Sequence, residues 1–204
     1  MKSYDITVLP GDGIGPEVMD VALSVLDLVG HKFNIKFNCK EELFGGCSID
    51  KYGIPLTDET INNCKNADSI LLGAVGGPKW EEQAHNKKPE QGLLKLRKSL
   101  GLYANLRPAK IYSPLINASS LKPDVIRKAD VMVVRELTSG IYFGEPRGID
   151  KNKGWNTLSY TREEVEQISH TAFKLARKRN NRVTSVHKSN VLESSQFWKD
   201  VVES

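Results

Sequence analysis

Residues 4–16, YDITVLPGDGIGP, leave this chain few ways to fold. Tyr4–Leu9 alternates and is rich in β-branched residues, which predicts a strand. The glycines that follow turn the chain into a helix whose apolar stripe recurs at Val18, Val21, Ala22, Val25, Leu26 and Val29 and ends near Gly30. A strand, a glycine turn and a helix in that order open an α/β unit. Gly11, Gly13 and Gly15 are spaced G-x-G-x-G, one residue short of the dinucleotide fingerprint, and the next strand ends in asparagine rather than an acid. The turn therefore fits a phosphate site and a tight strand-to-helix connection equally well.

Further elements repeat the pattern. Phe33–Asn38 reads as a second strand, a glycine-bearing loop covers residues 44–54, and Thr57 caps a short helix. Ser69–Ala74 is a continuous apolar run, as expected of a buried parallel strand. It empties into Gly73–Trp80 (GAVGGPKW), where glycines let a ligand or another backbone approach closely. Tyr103–Tyr112 is extended and broken by Pro108. Val131–Leu137 is a second buried strand with Arg135 and Glu136 at its end, either solvated at the rim or aimed into a site. Thr138–Gly148 is glycine-rich and carries Tyr142, Thr161 with Glu164 forms a capping box, Arg182–His187 is a strand delivering Lys188 and Asn190, and a last helix starts near Leu192.

The helix expected over residues 92–100 holds Leu93, Leu94 and Arg97 at three- and four-residue spacing, so two branched apolar side chains and a guanidinium share a face. Such a face suits a small molecule with a branched alkyl end and a carboxylate, which an arginine fork binds through two hydrogen bonds. The same residues also describe an ordinary amphipathic helix that buries Leu93, Leu94, Leu96 and Leu100.

Composition narrows the functional classes. No apolar run reaches the length of a membrane span, and the N-terminus has no signal-peptide pattern. Cys39, Cys47 and Cys64 show no C-x-x-C pairing, so neither a disulfide framework nor a zinc site is indicated; they read as reduced, half-buried thiols of a cytoplasmic protein. The net charge of +4 is concentrated in Lys174–Arg182, at the end of an expected helix, where cations complement the helix dipole. Without interleaved aromatics it does not indicate nucleic-acid binding.

Five segments together, LPGDGIGPE, GAVGGPKW, GLLKLRKSLGLYANLRP, VVRELTSGIYFGEPRG and HKSNVLESSQFW, resemble the β-decarboxylating dehydrogenases, the isocitrate/isopropylmalate dehydrogenase family. They occur in family order and cover nearly the whole chain. The resemblance implies a two-domain α/β fold of that family's type rather than a Rossmann fold, with residues 1–103 in a first domain and 104–204 in a second, substrate-binding and dimerising domain. It implies that Arg97, Arg107 and Arg135 hold the two carboxylates of a malate core, and that Tyr142 and Lys188 are catalytic acid and base. Leu93, Leu94 and Val191 would contact an isopropyl group, making the substrate 3-isopropylmalate. Gly77, Pro78, Lys79, Trp80, Glu90 and Asn190 would face NAD, and Mg2+ or Mn2+ would assist loss of CO2. The lysine would reach into the site of a partner subunit, so the active unit would be a homodimer with shared sites.

His187 stands where this branch more often carries aspartate. The family's metal-binding aspartates, its adenosine-gripping loop and half of the first domain's sheet are expected beyond Ser204. The chain therefore reads as part of an enzyme, incomplete at the C-terminus, poorly soluble and inactive alone. Competing readings are a dehydrogenase for another 3-substituted malate or tartrate, and a silent protein that only dimerises or binds a small anion.

Overall fold

The computed structural model describes residues 1–127 and 129–204, and the chain divides into two compact units, Met1–Gly101 and Leu102–Ser204. The first unit is built on a three-stranded parallel sheet. Strand β1 (Lys2–Gly11) leads into helix α1 (Gly15–Phe33), strand β2 (Ile35–Glu41), helices α2 (Gly46–Tyr52) and α3 (Asp58–Asn66), strand β3 (Ser69–Ala74) and helix α4 (Pro89–Ser99). The strand order is β2-β1-β3, so β1 is central, and its residues Ile6–Leu9 are all buried.

Period-two geometry sends those residues to opposite faces. Ile6 and Val8 pack with Met19, Ala22, Leu23 and Leu26 of α1, while Leu9 joins Phe44, Leu56, Ile61, Cys64 and Leu96 on the other side. Thr7 also faces that second side, where its hydroxyl donates to the Asn63 carbonyl at 3.1 Å and so is buried without loss of a partner.

Helix α1 corrects two expectations. It runs through Gly30 to Phe33 and ends on Asn34, which takes the left-handed cap at φ 55, so β2 begins later than expected, at Ile35. A Cβ on Gly30 would lie 2.8 Å from the Ile35 carbonyl oxygen; the glycine therefore lets the returning strand pass close to the helix instead of stopping it. The face that reaches the sheet is Met19, Ala22, Leu23 and Leu26, whereas Val18, Val21 and Val25 of the expected stripe are exposed. The helix carries two apolar stripes, and only one lies over β1. Strand β3 is only half-buried, and among the described residues it pairs on one edge alone. Of the cysteines, Cys39 is exposed and Cys64 buried, with Cys47 between them.

In the second unit, strand β4 (Ala104–Lys110) is followed by a short helix α5 (Pro123–Ile126) and by strand β5 (Asp130–Glu136), which pairs antiparallel with β4. Pro108 sits within β4, opposite Met132. Only one edge of β4 is paired among the described residues, and such strands tolerate a missing N–H. The glycine-rich residues 138–148 run through a 3-10 turn at Gly140–Tyr142 into a hairpin of β6 (Gly144–Ile149) and β7 (Gly154–Thr157). Asp150 closes that hairpin by accepting from the Asn152 and Lys153 amides. Helix α6 (Arg162–Arg177) opens with both halves of the Thr161–Glu164 capping box, and helix α7 (Glu193–Glu203) starts where expected.

The strand expected at Arg182–His187 does not form. Its residues 182–186 line, with β5, α6 and α7, a groove of about 850 Å³. A space rather than a backbone ladder lies beside the segment, and Val186 is 89% exposed. Alternating β-branched residues make a strand only when a neighbour supplies the ladder.

Candidate functional site

The sequence-predicted site residues fall into two groups, one in each unit. In the first, the crossing of three main chains sets the geometry. Gly11, at φ +74, lies so close to Ala74 that a Cβ would meet its carbonyl oxygen at 1.9 Å; Cβ atoms on Gly15 and Gly73 would meet the Pro10 carbonyl oxygen at 2.1 and 2.3 Å. The G-x-G-x-G turn is thus a tight connection that lets β1, the start of α1 and the end of β3 touch.

From this crossing the chain leaves β3 into the Gly76–Trp80 loop. Gly76, at φ +91, faces Glu90, whose Oε1 a Cβ there would meet at 2.6 Å. The loop ends in a 3-10 turn, Pro78–Trp80, and the Trp80 ring lies flat against Gly46. Asp50 latches this end by accepting from Lys79 Nζ at 2.6 Å and from Trp80 Nε1 at 3.1 Å. Those two hydrogen bonds hold the Asp50 carboxyl below the ordinary carboxylate range.

Helix α4 begins at Pro89 with its φ preset for the first turn. Leu96 is buried, and Leu93 and Leu100 pack against the same core, so this stripe anchors the helix. Glu90, Leu94 and Arg97 recur at four and three residues along a neighbouring stripe. Glu90 is exposed and the other two are half-buried. Leu93 is therefore chiefly a core residue, and Leu94 shares its stripe with the acid and the guanidinium.

In the second unit, Asn105 and Arg135 are register partners across β4 and β5, so their side chains share a face, and Arg107, two residues from Asn105, shares it too. Arg107 Nε donates to the Asn105 side-chain oxygen. The Arg135 guanidinium lies 5.1 Å from the centre of the Tyr142 ring, a cation–π contact, and Tyr142 itself is 53% exposed. Two guanidiniums and a phenol are thus gathered on one open face, an arrangement that can receive a small dianion. Lys188, Asn190 and Val191 are all exposed on the turn before α7, which the Lys188 carbonyl closes by accepting from Val191 and Leu192. Among the described residues, no side-chain hydrogen bond or ion pair joins Lys188, Asn190 or Val191 to Arg107, Arg135 or Tyr142.

Four supporting residues complete the two groups, and three of them, Tyr160, Asp50 and Asp12, escaped the sequence reading. Glu136 is neither rim nor ligand: it bends back to accept from the Thr138 amide and hydroxyl and from the Ser139 amide, bracing the turn that carries Tyr142. The acid-x-Thr spacing is the local signal for such a brace. Tyr160 packs against Gly140 and meets the Trp198 ring edge-on at 5.1 Å. Burial first, then the nearby Glu136 carboxylate, pushes the Tyr160 hydroxyl up, against the opposing pull of Arg135. Asp50 and Asp12 bind groups distant in sequence, and no local pattern reports either. Among the described residues no cluster of three or more His, Cys, Asp or Glu side chains is positioned to hold a metal ion.

A parallel sheet with glycine-crossed turns in one unit and an antiparallel strand pair carrying arginines in the other place the chain in the α/β class. Comparison with known proteins gives the family. The profile described as Isocitrate/isopropylmalate dehydrogenase matches residues 5–204, and the chain belongs to that family. The 3-isopropylmalate dehydrogenase of Chlorobaculum tepidum is 57% identical over 200 residues, covering 98% of this chain and 57% of the relative; that of Sulfurimonas denitrificans is 55% identical over 202 residues, covering 99% and 57%. The chain thus spans about 57% of the length of these curated relatives. Among solved structures, a β-decarboxylating dehydrogenase from Thermococcus kodakarensis, in its apo form, superposes with a TM-score of 0.71 at 31% identity, covering 98% of this chain and 53% of that one. An isocitrate dehydrogenase from Methylococcus capsulatus gives a TM-score of 0.74 at 28% identity, covering 98% and 56%. No helix among the described residues is long and apolar enough to cross a membrane.

Proposed function

We propose that the full-length protein catalyses the NAD-dependent oxidative decarboxylation of (2R,3S)-3-isopropylmalate to 4-methyl-2-oxopentanoate and CO2, a step of leucine biosynthesis in the cytoplasm. The observation that carries this reading is the shared β4–β5 face of Arg107 and Arg135 with Tyr142 stacked on Arg135. It suits a malate core, because guanidiniums bind carboxylates bidentately and leave a proton donor beside the bound acid. Relatives named 3-isopropylmalate dehydrogenase at 55–57% identity support the choice of acid.

In this reading Arg97, Arg107 and Arg135 orient the two carboxylates, and Leu94 and Val191, with the edge of Leu93, receive the isopropyl group. A third carboxylate in place of the alkyl branch would be left unpaired against those side chains, which disfavours isocitrate. Two observations support a place for the nicotinamide end of NAD: among the described residues a Cβ on Gly77 would meet the Trp80 ring edge alone within 4 Å, and Glu90 stands exposed beside the loop. Gly77, Pro78, Lys79, Trp80 and Glu90 would hold it, with Asn190 contributing from a shared site. Bound NAD+ supplies the acceptor for the hydride that leaves C2.

Lys188, supplied by the partner of a homodimer, takes the proton of the C2 hydroxyl as that hydride departs. The C3–carboxylate bond then breaks, its electron pair forming the C2–C3 double bond of an enolate as CO2 leaves. The Tyr142 hydroxyl returns a proton to C3. The described residues do not fit a divalent metal, so Mg2+ or Mn2+ enters the proposal only for the full-length protein and no step is assigned to it.

The test is a substrate panel on the full-length protein with NAD+: malate, tartrate, isocitrate and 3-isopropylmalate. Preference for the branched acid, by kcat/KM, is the expected result. Preference for an unbranched or tricarboxylic acid would refute the assignment of the leucine face.

A further inference from the structure

Asp12 is 3% exposed, and it bonds three backbone amides, two at the start of α2 and one in the loop after β3. Its Oδ2 accepts from Gly46 at 2.7 Å and from Gly76 at 2.8 Å, its Oδ1 accepts from Cys47 at 2.8 Å, and its own amide donates to the Ala74 carbonyl at 2.8 Å. A buried carboxylate is costly unless such donors surround it, and here they do. Asp12 holds the Gly76 end of the Gly76–Trp80 loop directly, and it holds the backbone on which the Trp80 end, latched by Asp50, also rests. The Gly76 amide at the loop's start is held directly, and Gly76 faces Glu90. At the loop's end the Trp80 ring rests on Gly46, where a Cβ would lie 2.4 Å from the ring carbons, and Gly46 is held by the same oxygen.

We propose that Asp12 is a positioning residue for the cofactor: its carboxylate fixes the spacing between the Gly76 backbone, the Trp80 ring and Glu90, and so sets affinity for the nicotinamide end of NAD. This rests on the reading that Gly77–Trp80 and Glu90 face NAD. A carboxamide of the same shape keeps one acceptor oxygen and turns an NH2 group toward an amide that needs an acceptor. Asp12→Asn therefore perturbs the loop while leaving the arginines, Tyr142 and Lys188 untouched.

The experiment uses the full-length enzyme and two readouts: Michaelis constants for NAD+ and for 3-isopropylmalate measured separately, and hydrogen exchange of the Gly76 and Cys47 amides without NAD. Asp12→Asn is expected to raise KM for NAD+ about tenfold, to change KM for the acid and kcat by less than about threefold, and to speed exchange at one or both amides. Gly46→Ala moves the Trp80 ring without altering the Asp12 carboxylate, so it should give the same split and keeps the proposal testable if Asp12→Asn does not fold. Faster exchange with an unchanged KM for NAD+ would reduce Asp12 to a structural brace and overturn the proposal. Glu90→Gln separates the two levels of failure. If it raises KM for NAD+ while Asp12→Asn and Gly46→Ala do not, the positioning role alone is wrong. If all three leave KM for NAD+ unchanged, the loop does not face NAD and both readings fall.

Discussion

The Gly76–Trp80 loop and the β4–β5 arginine face are held in opposite ways. The loop is fixed by main-chain amides converging on a buried carboxylate, with glycines where side chains would not fit. The arginine face is held by side chains: Arg107 by Asn105, Arg135 by the Tyr142 ring, and the Tyr142 turn by Glu136. A network of backbone donors has few ways to rearrange, whereas long side chains on an open strand keep rotamer freedom until a ligand orders them. In the proposed reading, the first arrangement would suit a cofactor bound the same way in every turnover, and the second an acid whose own charge completes the site.

The sharpest break of this comparison is at Lys188. Lys188→Ala in the full-length enzyme should lower kcat by about 10²- to 10⁴-fold with binding of the acid largely kept; unchanged turnover removes it from the mechanism. Next, Arg135→Lys should raise KM for the acid about ten- to a hundredfold, because an ammonium neither forks onto a carboxylate nor stacks as well on Tyr142. Steady-state kinetics reads both. The glycines then test the rigid side directly. Gly11→Ala combines left-handed backbone with a 1.9 Å clash and should cost about 3 kcal/mol in denaturant unfolding. Gly53→Ala, at φ +75 with open space around it, should cost only about 1 kcal/mol. Equal losses would mean that dihedral preference, not main-chain crowding, dominates the crossing.

The smallest effect concerns the Asp50 latch. Its folded carboxyl is held below its unfolded value, so its contribution is complete above the ordinary carboxylate range and disappears as pH falls through the lowered value. The difference in Tm between the parent and Asp50→Asn should therefore be small but measurable at neutral pH and vanish in strong acid. A difference that persisted in acid would assign the latch to packing of Lys79 and Trp80 rather than to charge.

Much of this layout was legible from residues alone, wherever the signal was local. The Thr161–Glu164 box and the Thr57 cap form as read, and Ser69–Ala74 forms the parallel strand read for it, though half-buried rather than buried, since cap and strand patterns report on neighbours within a few positions. Arg182–His187 was misread because a strand also needs a partner that its own sequence does not contain. The valine stripe of α1 misled for a related reason: periodicity marks apolar faces but not which one meets the sheet. Asp12 was invisible, since its partners are amides 34, 35 and 64 residues away, and amides carry no residue identity.

The glycine crossing bears on how a protein of this kind can change over generations. Where three main chains touch at Gly11, Gly15 and Gly73, no side chain exists through which inheritance could retune the fit. If the acid binds as proposed, drift toward a different one would be written on the outward stripe of α4, at Leu94 and its neighbours, while the crossing stays as it is.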